Sequence, residues 1–189
     1  AGFRDVLEIR RLRMPRLYDL GWHKPPALAV RADRLEVDER LGADGEVIRA
    51  LDEASARSAV ERLLASGVEA IAVCLINAYA NNQHERRVLD IIREFDADIP
   101  VCLSSDIHPE IKEYERTSTT VVNACLLPLV GRYLRSLSEV LKSQSVHAPL
   151  RIMQSNGGTM GVGAAAARPV HIIESGPSAG VVGAAAIAA

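Results

Sequence analysis

Ser155-Asn156-Gly157-Gly158 is a polar, glycine-rich turn that directly follows the apolar run 149–153. Glycine lets a backbone approach a ligand closely and adopt positive φ. Layered α/β folds place ligands at such strand ends, and free backbone N–H groups of the next element can face an anion. The plainer alternative is a turn that needs glycine for its shape alone. Glu174-Ser175-Gly176-Pro177-Ser178-Ala179-Gly180 repeats the theme after the apolar run 170–173. Pro177 suits the first turn of a helix, whose N–H groups lack partners in any case. Glu174 then reads either as a cleft carboxylate, holding a substrate amine or a metal-bound water, or as a helix-capping or ion-pairing group. In a third block, Glu113-Tyr114-Glu115-Arg116-Thr117-Ser118-Thr119-Thr120, four hydroxyl residues follow two carboxylates and an arginine. Thr117 or Ser118 can cap a helix there. Thr117 and Thr120 with Arg116 can also bind an anionic group.

Other reactive residue types form no pattern. The five histidines lack metal-ligand spacing and read as surface or turn residues. GxSxG, GxxxxGK[ST] and GxGxxG are all absent. Cys74, Cys102 and Cys125 are an odd, widely spaced set inside apolar runs. They read as free buried thiols rather than as a disulfide framework or a zinc site. No complete catalytic constellation stands out.

Those blocks must be positioned by a scaffold, and composition bounds what it is. The chain has 189 residues, enough for one domain or parts of two. Its 48% hydrophobic content fits a globular core. Aromatics are only 4%, so Ala, Val, Leu and Ile must fill that core, as in layered α/β proteins. A net charge of −2 favours neither nucleic acid nor an anionic membrane as partner. The short basic stretch Arg10, Arg11, Arg13, Arg16 reads as a solvated loop. No apolar run reaches the ~18 residues that span a bilayer, and a cytoplasmic location is expected.

Residues 2–9 predict a short helix and 10–26 an irregular segment. Imperfect alternation predicts a strand over 34–41, and Asp44-Gly45 predicts the turn of a hairpin returning through 46–49. A helix capped by Asp52 or Ser55 and closed by Gly67 follows. The apolar run 68–76 suits a strand buried on both faces of a parallel sheet. A helix from Asn81 or Asn82 and a strand over 100–103 complete a helix–strand–helix–strand alternation, the mark of an α/β layer. A loop with a short helix is expected over 105–115. One long helix is expected over 117–142, broken or bent at Pro128, with an apolar stripe of Leu126, Leu129, Val130, Tyr133, Leu134, Leu137, Val140 and Leu141. Strands over 149–153 and 170–173 and an alanine-rich final helix end the reading.

Several blocks together resemble the hydantoinase A/5-oxoprolinase family. They are residues 2–9 with Arg16-Leu17-Tyr18-Asp19-Leu20, residues 67–73, His84-Glu85, residues 113–124, Met153 to Gly158, and Glu174 to Gly183. The resemblance implies an α/β chain forming part of an actin/sugar-kinase/chaperone-like ATPase fold. Residues 1–104 would belong to the N-terminal hydantoinase/oxoprolinase lobe and 105–189 would start the hydantoinase A core lobe. It also implies ATP-dependent opening of a cyclic amide, 5-oxoproline or a hydantoin, by phosphorylation of the carbonyl oxygen, with Mg²⁺ offsetting phosphate charge. A second large hydantoinase B-type subunit or domain is the implied partner. Ser155, Asn156, Gly157, Gly158, Glu174, Ser175 and Gly176 are the matched positions expected to face the cleft, with Arg116, Thr117 and Thr120 at its border. The family's DxGGT-like phosphate loops are absent from this sequence. The expectation is an internal piece that binds no ATP or Mg²⁺ and is inactive alone. A β-type subunit of a ketone carboxylase and a non-enzymatic nucleotide-binding module are the competing readings.

Overall fold

A computed structural model describes residues 2–11 and 18–188. Arg13, Arg16 and part of the Arg16–Leu20 block lie outside them. The chain divides into two compact units, Ala1–Ala124 and Cys125–Ala189.

The first unit opens with helix α1 (Val6–Ile9) and a 3₁₀ turn at Arg31–Asp33. Strands β1 (Arg40–Leu41) and β2 (Val47–Arg49) pair antiparallel around the Asp44-Gly45 turn, with Leu41 opposite Val47. Gly45 has φ +84°, and a Cβ there would sit 3.1 Å from Asn81 Cβ. Both facts disfavour a larger residue. The expected strand over 34–41 shrinks to its last two residues because its backbone is engaged elsewhere. Asp38 accepts from Asp52 N (2.8 Å), and its own N–H donates to Ser55 Oγ (3.0 Å).

Helix α2 (Glu53–Ala65) starts where Asp52 accepts from Ala54 N, and Gly67 at φ +77° follows its end. Strand β3 (Ile71–Val73), helix α3 (Gln83–Phe95) and strand β4 (Val101–Leu103) form a β–α–β unit. The strands run parallel, with Ile71, Ala72 and Val73 opposite Val101, Cys102 and Leu103. Their core is aliphatic: Ala56, Val60, Ile71, Val73, Val88, Ile91, Ile92, Ile99 and Leu103 are buried together. This is the layer that the periodicity predicts. β3 is shorter than its apolar run because the chain leaves the sheet at Cys74 and reaches positive φ at Asn77. Helix α4 (Ser104–Ile107) follows β4 without a gap.

Helix α5 runs from Glu113 to Ser143, with Pro128 inside it and no break in the element. It starts four residues before Thr117, so Thr117 and Ser118 are interior helical residues and not caps. The boundary between the two units falls within it. In its expected stripe Leu134 is buried, but Leu129, Tyr133 and Val140 are open to solvent.

In the second unit β5 (Arg151–Met153) and β6 (Thr159–Gly161) form an antiparallel hairpin. Helix α6 (Val162–Ala167), a 3₁₀ turn (Pro169–Ile172) and helix α7 (Ser175–Ala188) follow. The expected strand over 170–173 is therefore a helical turn. His171 N–H bonds to Arg168 O, and Pro169 lacks the N–H that a ladder needs. A short apolar run does not by itself distinguish strand from helix.

Candidate functional site

The second unit joins two of the blocks read from sequence. Residues 155–158 form the turn of the β5–β6 hairpin, not a strand-to-helix turn. Gln154 N–H donates to Gly158 O (2.8 Å) and Gly157 N–H to Gln154 O (3.1 Å). Gly158 N–H donates to Asn156 Oδ1 (2.9 Å), and Ser155 N–H to His171 O (2.7 Å). The N–H groups of Ser155, Gly157 and Gly158, three of the four in this turn, are thus spent internally. Gly157 is favoured twice over: its φ is +85°, and a Cβ would lie 3.2 Å from Val182 Cγ2 on α7.

Ser155 is the link between the blocks. Its Oγ accepts from Glu174 N–H (3.0 Å), and its carbonyl accepts from Ser178 Oγ (2.5 Å). The turn is thereby fastened to the first turn of α7, where Ser175, Gly176 and Pro177 begin the helix. Glu174, Asn156, Gly158 and Gly176 are exposed, while Ser155, Gly157 and Ser175 are half-buried. The result is an open polar face carrying a carboxylate and the NH₂ group of Asn156, suited to hydrogen-bonding an amide or a carboxylate.

The first unit holds a second polar cluster, past the carboxyl ends of β3 and β4. Glu85 on α3 is fully buried. Its carboxylate accepts from Leu75 N–H (3.0 Å), Ser104 Oγ (2.6 Å) and Ser105 N–H (3.0 Å). One side chain thus ties together α3, the segment after β3 and the start of α4. Arg116 is only 1% exposed. Its guanidinium donates to Glu110 O (2.7 Å) and Leu75 O (3.1 Å) and lies 5.6 Å from the centre of the Tyr79 ring. Thr120, also buried, returns a hydrogen bond to Arg116 O (2.7 Å), the i−4 pattern of a hydroxyl inside a helix. Arg116 therefore braces α5 against Leu75, the residue that Glu85 also holds. Thr117 is half-buried on the same helix. Burial pushes the nearby Cys74 thiol up to about 12, and the Glu85 charge adds to the effect. The hydroxyls of Thr120 and Thr117 and the Arg116 charge act in the opposite direction.

Sequence reasoning missed part of this cluster. Glu85, Val88 and Ile92 lie three and seven positions apart, so Glu85 shares the apolar face of α3, a placement the helical period could have revealed. His84, read as a surface or turn residue, is buried, with Nδ1 2.8 Å from the buried Glu39 carboxylate. Burial of His84 closes off the charge of Glu39, which broke the expected alternation over 34–41. Asn123 and Cys102 are likewise buried, with Asn123 Nδ2 3.1 Å from Cys102 Sγ. All three cysteines are free, but of the three only Cys102 is fully buried: Cys74 is half-buried and Cys125 exposed.

Among the described residues, no group of three His, Cys, Asp or Glu side chains could hold a metal ion. Nor is any helix among them long and apolar enough to cross a membrane.

The model of the hydantoinase/oxoprolinase N-terminal region matches residues 1–96, and the hydantoinase/oxoprolinase model matches residues 116–189. The chain belongs to the hydantoinase/oxoprolinase family. It is 42% identical over 181 residues to an uncharacterized protein of Methanocaldococcus jannaschii, covering 96% of this chain and 27% of that protein. It is 34% identical to caprolactamase subunit alpha of Pseudomonas jessenii, covering 94% of this chain and 26% of the relative. It is 32% identical to 5-oxoprolinase of Saccharomyces cerevisiae, covering 96% and 16%. The crystal structure of ATP-dependent caprolactamase from Pseudomonas jessenii matches with a TM-score of 0.85 at 35% identity, over 94% of this chain and 26% of that one. The nucleotide-free structure of acetone carboxylase matches with a TM-score of 0.84 at 31% identity, over 97% and 27%. The chain thus spans about a quarter or less of the length of these proteins.

Proposed function

We propose that this chain is part of an ATP-dependent hydrolase that opens a cyclic amide, such as 5-oxoproline or a hydantoin, by phosphorylation of its carbonyl oxygen. The observation that carries this reading is the likeness to the ATP-dependent caprolactamase structure, with a TM-score of 0.85 at 35% identity across nearly the whole chain. An unstrained lactam is a poor electrophile, and ATP supplies the phosphoryl group that makes its oxygen a leaving group.

ATP and Mg²⁺ are assigned to the full-length protein. Among the described residues no group of three His, Cys, Asp or Glu side chains could hold a metal ion, and three of the four N–H groups of the 155–158 turn are engaged internally. On this reading the chain alone has no ATPase activity. The full-length protein would have an actin/sugar-kinase/chaperone-like fold, with residues 1–104 in the N-terminal lobe and 105–189 starting the core lobe.

Ser155, Asn156, Gly157 and Gly158, with Glu174, Ser175 and Gly176, are assigned to the substrate or nucleotide cleft. Their support is the Ser155 link, which ties the 155–158 turn to the backbone of Glu174 and to Ser178. Arg116, Thr117 and Thr120 are assigned positioning roles within their own unit. The proposed partner is a hydantoinase B-type subunit or domain, supported by relatives named as subunits, such as caprolactamase subunit alpha and acetone carboxylase beta subunit. The proposed location is the cytoplasm.

The likeness to acetone carboxylase favours a second reading, a β-type subunit of an ATP-dependent ketone carboxylase. ADP release by the full-length protein, with and without the partner, separates the two. Stimulation by 5-oxoproline or a hydantoin supports the hydrolase. Stimulation only by acetone with bicarbonate replaces it with the carboxylase.

A further inference from the structure

A half-open groove of about 200 Å³ lies within the first unit, and its lining includes neither Glu85 nor the residues that Glu85 bonds. Its apolar wall includes Leu7, Leu28 and Val121, and its polar groups are Arg10, Tyr114 and Ser118. Tyr114, Ser118 and Val121 are spaced four and three positions apart, so one face of α5 supplies them. Arg116 and Thr120 belong to the other, buried face. The opposite wall is the end of α1 and the segment around residues 26–28.

The groove is built rather than incidental. Arg10 caps the C-terminus of α1 at φ 55° and ψ −140°, a conformation costly for any residue with a Cβ. Its guanidinium is anchored from behind, donating to Pro25 O (2.6 Å) and more weakly to Leu7 O (3.4 Å). Among the described residues these carbonyls engage two of its five N–H groups. Next to it, the Arg11 guanidinium pairs with the Glu115 carboxylate, which joins the two walls and neutralises both charges. Among the described residues Arg10 is therefore the one charged residue lining the groove.

We propose that this groove binds a small ring compound bearing a carboxylate, with Arg10 as the residue that recognises the anion. The inference rests on the cyclic-amide reading above for the ring and on the groove alone for the charge. The volume is below the roughly 300–1,000 Å³ of pockets for drug-sized ligands, which suits a single ring. Leu7, Leu28 and Val121 cover the ring's methylene groups. The Tyr114 and Ser118 hydroxyls donate to or accept from its amide. The planar guanidinium meets the carboxylate with paired charge-assisted hydrogen bonds, which an uncharged ring cannot make.

The test is titration of the protein with 5-oxoproline and with 2-pyrrolidone, the same ring without the carboxylate, followed by NMR. The expected result is at least about tenfold tighter binding of 5-oxoproline, the size of one charge-assisted contact. Arg10→Met should abolish the difference and Arg10→Lys, which keeps the charge without the planar fork, should keep only part of it. Leu28→Trp, at an exposed position that tolerates a larger side chain, should block both rings and answers the question if Arg10→Met does not fold. Equal affinity for the two rings, no binding of either, or unchanged selectivity in folded Arg10→Met overturns the proposal. Lactam-stimulated ATP turnover that is the same in wild type and Arg10→Met full-length protein removes the groove and leaves the cyclic-amide reading standing. Absence of turnover with every lactam in wild type removes that reading instead.

Discussion

Replacing Glu85 tests whether one buried carboxylate holds the end of the parallel strand pair together. Glu85 is completely buried and accepts from two backbone N–H groups and one hydroxyl. In Glu85→Gln, one of the two oxygens becomes an NH₂ group. If the remaining oxygen keeps Leu75 N–H and Ser104 Oγ, the NH₂ group faces Ser105 N–H, donor against donor. One unmet buried donor costs about 1–3 kcal/mol. Glu85→Ala leaves both backbone donors without an acceptor, for about 2–6 kcal/mol on the same scale. The Ser104 hydroxyl can rotate and adds little. Either loss is a large share of the ~5–15 kcal/mol of a typical domain. Denaturant unfolding with a matched slope measures it, and the exposed Glu61→Ala serves as control, expected within about 0.5 kcal/mol of wild type. The order Ala, then Gln, then control is expected. If both Glu85 variants stay within about 0.5 kcal/mol of wild type, the carboxylate does not brace this end of the sheet.

Two further predictions concern other parts of the chain. The Cys74 thiol is pushed up to about 12 from an ordinary 9.0, so at pH 9 its thiolate fraction in the folded state is about a thousandth. Iodoacetamide should label exposed Cys125 first and half-buried Cys74 far more slowly until the protein unfolds; labelling of Cys74 in folded protein as fast as Cys125 refutes its raised pKa. Because the folded state holds this proton more tightly, its stabilising contribution is complete below about pH 9 and is lost as pH rises toward about 12. Gly157→Ala should destabilise the β5–β6 hairpin by about 1–2 kcal/mol, from the cost of positive φ. The 3.2 Å approach to Val182 adds to it. Val182→Ala should relieve only the second part. Amide exchange in the hairpin reads both, and unchanged protection in Gly157→Ala would contradict the turn geometry.

Much of the first unit was legible because its signals are local. Asp52 caps α2 by its own side chain, Asp44-Gly45 turns the hairpin, and the aliphatic runs around Ile71 and Val101 pair as a parallel sheet. The second unit was read less well. Gly157 marks a turn, but whether a strand or a helix follows depends on pairing between Arg151–Met153 and Thr159–Gly161, which no periodicity reports over three residues. The run after Pro169 has the residue types of a strand but finds no strand to pair with, and it coils. The blocks around Ser155 and Glu174 were recognised separately. Their connection through one serine is a tertiary fact with no sequence signature. His84 was misread because a polar residue reads as exposed until its buried partner, here Glu39, is known.

ATP turnover by the full-length protein tests the central claim most directly. With Mg²⁺ and the partner subunit present, ADP release stimulated by 5-oxoproline, a hydantoin or caprolactam, with the opened amino acid formed in step, is the predicted result. ADP release that no cyclic amide stimulates, in a folded and complete protein, would contradict it.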